Sequence, residues 1–295
     1  MNETEFFDAE KNKVVGGTLY LVTTPIGNMS DITYRAVKVL SEVDFVAAED
    51  TRNSARLLHF FGIHKELVSY YEHNKKSAGE KILARLQSGE SCALVTDAGT
   101  PAVSDPGEDL VRLCADAGVP VTAAPGVSAA VTALTLSALD TRRFVFEGFL
   151  PVAKAERAER LAALQREART MILYEAPHKL RRTLADLCNA LGGARRVSLC
   201  RELTKLNEDV FRTTLADAAA HYESAEPRGE YVLILAGVQA NHTAEAPWAS
   251  LSVVEHVDLY IAEGLSKSDA IKKAAKERGV PKNVVYNAYV SQDHQ

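Results

Sequence analysis

After Gly16-Gly17 the chain alternates short runs rich in β-branched and apolar residues with stretches of helical periodicity, and it keeps that rhythm for most of its length. Nothing else in the sequence restricts the fold so strongly. Parallel strands need long crossovers, and helical crossovers repeated in series build an α/β sheet. Strands are predicted over 18–24, 44–48, 67–71, 92–96 and 120–124, and helices over 33–42, 53–61, 78–87, 106–117 and 128–138. Asp105 is expected to cap the fourth helix, with Pro106 in its first position and Glu108 completing a capping box. A second βα series follows, with strands over 144–148, 170–174, 197–200 and 230–236 and helices over 154–167, 178–191 and 215–222; the residues between the third strand and the last helix read as a turn.

The expected organisation is a polar tail over 1–16, an N-terminal α/β domain over 17–140, a second α/β domain over 141–238, a linker over 239–249 and a helical segment over 250–295. The connection near 140–143 is short, so the two α/β domains should pack closely and enclose a cleft. In the last segment, a helix ending at Gly279 and a second one carrying Val284 and Val285 make a helix-turn-helix, which either binds nucleic acid or only packs.

Composition excludes several classes. No apolar run is long enough to span a bilayer and the start is polar, so a cytoplasmic, non-membrane protein is expected. Cys92, Cys114, Cys188 and Cys200 stand singly, which argues for buried thiols over a metal site or disulfides. The net charge of −5 gives no global attraction to nucleic acid. Two basic stretches remain, one from Lys154 to Arg212 and one from Lys267 to Lys282; each is either a solvated helix face or a local RNA contact. Phosphate-binding loops of the G-x-x-x-x-G-K-[ST] and strand-G-x-G-x-x-G types are absent, as are H-E-x-x-H and G-x-S-x-G.

What remains is a set of loops at predicted strand ends, where open α/β sheets bind ligands: 23–28, 48–52, 96–107 and 125–129. The third holds two acids, two prolines and two glycines between Asp97 and Gly107, a composition that lets a ligand approach the backbone. Singly, each is an ordinary connecting turn. Four in successive units on one sheet edge point to a site.

The series TTPIGN, AEDTR, DAGTPAVSDPG and PGVSA, followed by ILYEAPHKL and LCRELTK, resembles the tetrapyrrole-methylase superfamily over about residues 17–238, and within it the branch that methylates ribose in ribosomal RNA. The resemblance implies a homodimer of two-domain subunits with S-adenosylmethionine in the inter-domain cleft, acting on a cytidine 2′-hydroxyl in the decoding region of 16S rRNA in the small ribosomal subunit. It places Pro25, Asp97, Ala98, Gly99, Thr100, Val103, Ser128 and Ala129 around the cofactor from the first domain, and Tyr174, Glu175 and Leu203 from the second. Two departures favour RNA over a tetrapyrrole: Ala98-Gly99-Thr100-Pro101 stands where tetrapyrrole enzymes commonly have Gly-Gly-Asp-Pro, and Thr23–Asn28 replaces the G-x-G-x-G-D-P loop. A C-methyltransferase of corrinoid or sirohaem synthesis is the nearest alternative, and a ligand-sensing DNA-binding regulator a more distant one.

A ribose hydroxyl is a weak nucleophile, so a group must accept or polarise its proton. Glu49 and Asp50, beside Arg52, are the leading candidates, with Tyr71, Glu72, His73 and Asn74 behind them; an ion pair that merely closes the loop is the structural alternative.

Overall fold

The computed structural model describes residues 13–238, Trp248 and residues 251–291. Contacts divide the chain into one compact unit up to Val238 and a second from Gln239 onward. The first unit contains two five-stranded sheets.

The first sheet is wholly parallel, in the order β3-β2-β4-β1-β5, with β1 Leu19–Val22, β2 Phe45–Ala48, β3 Glu66–Ser69, β4 Cys92–Val95 and β5 Val121–Ala124. Its helices are α1 Tyr34–Glu42, α2 Thr51–Phe60, α3 Lys75–Gln87, α4 Glu108–Asp116 and α5 Ala129–Leu136. Both faces are covered, so the strands read as nearly continuous apolar runs. Tyr20, Val22, Val46, Ala48, Ala93 and Val95 face α1 and α2. Their alternates Leu19, Phe45, Ala47, Cys92 and Leu94 face α3 and α4. Strands β1 and β4 are neighbours, yet the helix after β1 lies on one face and the helix after β4 on the other. Their loops part at that point and open a crevice, the usual ligand position in such sheets.

The second sheet, β6-β7-β10-β8-β9, is mixed: β6 Phe144–Phe149 is parallel to β7 Thr170–Glu175, whereas β10 Tyr231–Leu235 runs antiparallel to β7 and to β8 Arg196–Arg201. Helices α6 Lys154–Leu164, α7 Pro177–Leu191 and α8 Leu215–Ser224 accompany it. Residues 209–214, expected as part of a turn, form β9 Asp209–Thr214, antiparallel to β8. This strand lies at the sheet edge with Asp209 and Arg212 exposed and its other residues only partly buried, too weak an apolar signal to show in the sequence.

The sheets are joined through α5. Its run Ala-Ala-Val-Thr-Ala-Leu-Thr-Leu is small and apolar, and Ala130, Ala133 and Leu134 pack against Ile172, Cys200, Val232 and Ile234 of the second sheet. Ser198 Oγ donates to the Ser137 carbonyl at 2.7 Å, and the Arg212 guanidinium to the Leu136 carbonyl at 2.6 Å. Sequence alone puts α5 in the first domain, whereas its packing makes it the joint between the two.

The basic stretch from Lys154 to Arg212 is not one exposed patch. Arg157 is buried and donates to Thr183 and Asp186, Arg181 binds the Tyr222 carbonyl, Arg195 binds the Ala236 carbonyl, and Arg160 and Arg169 pair with Glu147 and Glu167. The four cysteines are free.

In the second unit, α9 Val253–Ala262 starts at a Ser252/Glu255 capping box, and α10 Lys267–Arg278 ends at Gly279, whose φ of 65° is the left-handed conformation that favours glycine. After Pro281 comes α11 Lys282–Val290. Val257, Tyr260, Ile271, Ala274 and Val285 form its core. Of the two valines expected to anchor the last helix, Val285 is buried and Val284 lies on the surface. His256 is buried and stacked on Trp248; Arg278 Nε donates to its Nδ1, so the Nε2 proton goes to Glu277.

Candidate active site

The crevice between the β1 and β4 loops opens into a cavity of about 440 Å3. Pro25, Ile26 and Gly27 line it from the β1 loop, Thr96, Asp97 and Ala98 from the β4 loop, Asn53 and Arg56 from α2, and Lys205 and Glu230 from the second sheet's connections. Thr24 and Gly99 exchange both backbone hydrogen bonds, at 2.9 and 3.1 Å, tying the two loops together at their base. Gly27 is required here, because a Cβ at that position would lie 2.4 Å from Lys205 Cγ. Lys205 Nζ bridges Glu202 at 2.8 Å and Glu230 at 2.9 Å. Burial works against its charge, but the two carboxylates outweigh burial and hold its pKa above the usual lysine value.

Backbone strain concentrates around this cavity. Ala102 and Ser104 in the β4 loop, and Glu202 and Thr204 after β8, have positive φ without being glycines. Each costs roughly 1–3 kcal/mol, and such conformations cluster where a surrounding structure holds a loop against a ligand.

Carboxylates converge at the ends of β2 and β4. Thr96 Oγ1 donates to Glu49 Oε2 at 2.8 Å, and Asn53 Nδ2 donates to Asp97 Oδ2 at 2.9 Å. Asp105 is not the helix cap the sequence suggested. The helix begins two residues later, with Gly107 in the cap position and no side-chain cap, and Asp105 is instead partly buried near Glu49, Asp97 and Thr96. Burial pushes its carboxyl up to about 6; the nearby charges of Glu49 and Asp97 add to the shift and the Thr96 hydroxyl opposes it. The sign is therefore destabilising at neutral pH: above about 6 the native state carries a carboxylate it holds poorly, and below the unfolded value near 3.8 that cost vanishes. Asp105→Asn is expected to raise unfolding stability by roughly 1–3 kcal/mol at about pH 7.5, a gain that shrinks below pH 6 and is gone near pH 4. Urea unfolding of both proteins at the two pH values checks it.

Asp50 caps α2 through Arg52 N and forms a bidentate pair with the Arg52 side chain, at 3.0 and 2.6 Å; those hydrogen bonds pull its pKa down to about 2. A carboxylate so engaged is a poor proton acceptor. Among the described residues Glu49 has no such cation; its carboxylate accepts from Thr96 Oγ1.

The other expected positions divide by what they touch. Pro25, Asp97 and Ala98 line the cavity. Ala129, Tyr174 and Leu203 meet Ile26 in the apolar cluster that joins the sheets, and Ser128 caps α5 by accepting from Val131 N. Gly99 has both backbone groups committed to Thr24, Thr100 Oγ1 lies 3.4 Å from Thr23 Oγ1, and Val103 is exposed. Glu175 is buried, with its carboxylate turned to Thr183 and to Ala176 N, so it offers the cleft no side chain. Tyr71, Glu72, His73 and Asn74 lie beyond β3 and line no part of the cavity; Asn74 accepts from Tyr71 N and Glu72 pairs with Lys75. Sequence reasoning missed Asn53, Arg56 and Glu230. Asn53 and Arg56, one turn apart, share a face of α2 once Asp50 is known as its cap, but Glu230 reaches the cavity only through the fold.

The family model for tetrapyrrole (corrin/porphyrin) methylases matches residues 18–219. The chain belongs to the tetrapyrrole methylase family. This methylase is 48% identical over 274 residues to a Halalkalibacterium halodurans protein named ribosomal RNA small subunit methyltransferase I, covering 92% of this chain and 94% of the relative. Proteins of the same name from Bacillus subtilis and Escherichia coli O157:H7 are 45% and 43% identical, over 92% and 94% of this chain and 94% and 96% of the relatives. Among solved structures, a cobalt precorrin-4 methyltransferase aligns with TM-score 0.57 at 19% identity over 75% of this chain and 95% of that one. A uroporphyrin-III C-methyltransferase from Thermus thermophilus, complexed with S-adenosyl homocysteine, aligns with TM-score 0.55 at 19% identity over 74% and 97%. At that identity the two structures establish the fold.

Proposed function

We propose that this methylase transfers a methyl group from S-adenosylmethionine to a ribose 2′-hydroxyl of small-subunit ribosomal RNA, with the decoding-region cytidine of 16S rRNA as the target. The observation that carries the reading is the cavity at the β1/β4 switch point, with Asp97 in its wall, in a chain over 40% identical along nearly its whole length to proteins named for that RNA.

The residues present suit the cofactor. A cavity of about 440 Å3 holds a nucleoside-sized ligand, and Glu49, Asp97 and Asp105 supply negative charge beside a cationic sulfonium. Next to Lys205, Thr204 Oγ1 is buried with no partner among the described residues, an orphan that a bound ligand can satisfy. When bound, the cofactor supplies an electrophilic methyl carbon. The protein's task is alignment and proton removal. Asp97, steadied by Asn53, holds the cofactor from the β4 loop. Ala129, Tyr174 and Leu203, in the apolar cluster that Ile26 shares with the cavity lining, and Pro25 in that lining would supply apolar contacts to it. Glu49, oriented by the Thr96 hydroxyl, would take the 2′-hydroxyl proton; the O–C bond that forms replaces the methyl–sulfur bond that breaks, leaving a neutral ether on the RNA and a neutral thioether as the leaving group.

Incubating small ribosomal subunits with labelled S-adenosylmethionine and mapping 2′-O-methylated positions tests the reading; label on a tetrapyrrole precursor and none on RNA would replace it.

The helical unit is assigned to subunit binding. Lys272 and Lys276 stand exposed on α10 with no ion-pair partner among the described residues. Removing residues 246–295 is expected to weaken binding to small subunits about tenfold or more while leaving cofactor affinity unchanged; filter binding and calorimetry measure the two. The active form is assigned as a homodimer, because edge strand β6 exposes Phe144, Phe146 and Phe149, the last 53% accessible, beside exposed Val103 and Val152. Sedimentation at micromolar concentration should give twice the monomer mass; a monomer removes this part of the proposal.

A further inference from the structure

We propose that the RNA strand flanking the target ribose leaves the cavity across the outer face of α2, with a backbone phosphate on Arg56 and a neighbouring base stacked on Phe60; this rests on the function proposed above.

Electrostatics inside the cavity set the direction. Asp97 and Glu230 line it, Glu49 and Asp105 lie close behind Asp97, and the charge of Lys205 is already shared between two carboxylates. A ribose hydroxyl fits among acids, but its flanking phosphates are repelled and must lie outside. The cationic way out is α2. At about 100° per residue, Arg52, Asn53, Arg56, His59 and Phe60 fall on one arc of the helix, and all five are exposed. The charge of Arg52 is neutralised by Asp50. Arg56 borders the cavity and has no ion-pair or hydrogen-bond partner among the described residues, so its charge is available.

One turn further along, the Phe60 ring is 63% exposed, yet it is held edge-on against Phe61 at 4.9 Å, and Phe61 packs on the core. A fixed, solvent-facing ring gives a base a stacking surface at little entropic cost. On the far side of α2 lies a second cavity of about 380 Å3, with Leu58, Ile63 and Leu67 as an apolar floor and His59, His64 and Lys65 at its rim. A cation beside the reaction cavity and an exposed ring thus follow one another along one face of a single helix, and the second hollow borders the same helix through Ala55, Leu58 and His59.

The test uses the full chain with Arg56→Ala, Arg56→Lys and Phe60→Ala, all surface changes. KM and kcat for methylation of small ribosomal subunits are measured across a salt series, and S-adenosylmethionine affinity by calorimetry. Arg56→Ala is expected to raise KM about tenfold with kcat within about twofold, and to flatten the slope of log affinity against log salt by about 0.7–0.9, the loss of one phosphate contact. Arg56→Lys should restore most of the affinity. Phe60→Ala should raise KM at least about fivefold without altering the salt slope. Cofactor affinity should stay at the wild-type value in Phe60→Ala and shift far less than the KM in the two Arg56 variants. Wild-type KM and slope in Arg56→Ala and Phe60→Ala would overturn the track, and so would an Arg56→Lys protein as impaired as Arg56→Ala. Wild-type protein that methylates no subunits would instead overturn the function itself, and the track with it.

Discussion

Glu49→Gln is expected to lower the methyl-transfer rate by about 100- to 10,000-fold while changing S-adenosylmethionine affinity by less than about threefold. Gln keeps the shape and can still accept from Thr96 Oγ1, which bonds Glu49 at 2.8 Å, but it cannot take a proton. The loss belongs in the chemical step. Rapid-mixing single-turnover measurements with saturating subunits isolate that step, and a rate within a few-fold of wild type would remove Glu49 from the mechanism. The matching substitution Asp50→Asn should do far less to turnover, because Asp50 is committed to Arg52 and to the start of α2.

Asp97→Ala is expected to weaken S-adenosylmethionine binding by about 30-fold or more, the usual cost of deleting one partner of a charge-assisted contact in a partly desolvated site. Asp97 is exposed on the cavity wall and its carboxylate is held by Asn53, so the substitution removes a ligand-facing charge and leaves the core intact. Calorimetry gives the affinity, and an unchanged thermal midpoint separates lost binding from lost structure. Unaltered affinity in a folded variant would sink the assignment. Asn53→Ala should show the same effect in weaker form, since Asn53 steadies the carboxylate without replacing it.

Much of this architecture is local information. Apolar runs between helical stretches mark every strand of the first sheet, because a parallel sheet covered on both faces leaves few polar residues within its strands, Glu66 and Ser69 of edge strand β3 and Thr122 of edge strand β5 among them. The edge strand β9 escaped, being only partly buried. Asp105 was misjudged for a related reason: Asp-Pro-Gly-Glu has the spacing of a helix start, and local chemistry alone favours a cap. The fold sets the helix start at Gly107, whose φ of 151° and contact with Ala102 leave little room for a side chain, and leaves Asp105 partly buried near Thr96. Likewise a dense run of arginines reads as an RNA-binding face until the carbonyls of Tyr222, Ala236 and Leu136 are seen to claim three of them.

The sequence by itself determined the α/β class, the succession of strands and helices, the loops at the strand ends and the series of motifs that marks the family, because each depends on neighbours a few residues apart. Only the tertiary structure decided which charges are spent and which are free. Lys205 and Glu230 come from beyond β8 and before β10 to close a cavity begun at Pro25, α5 crosses to the second sheet, and Arg56, in the cavity lining, has no partner among the described residues. Burial and hydrogen-bond partnership are properties of residues far apart in the chain, and no local periodicity encodes them.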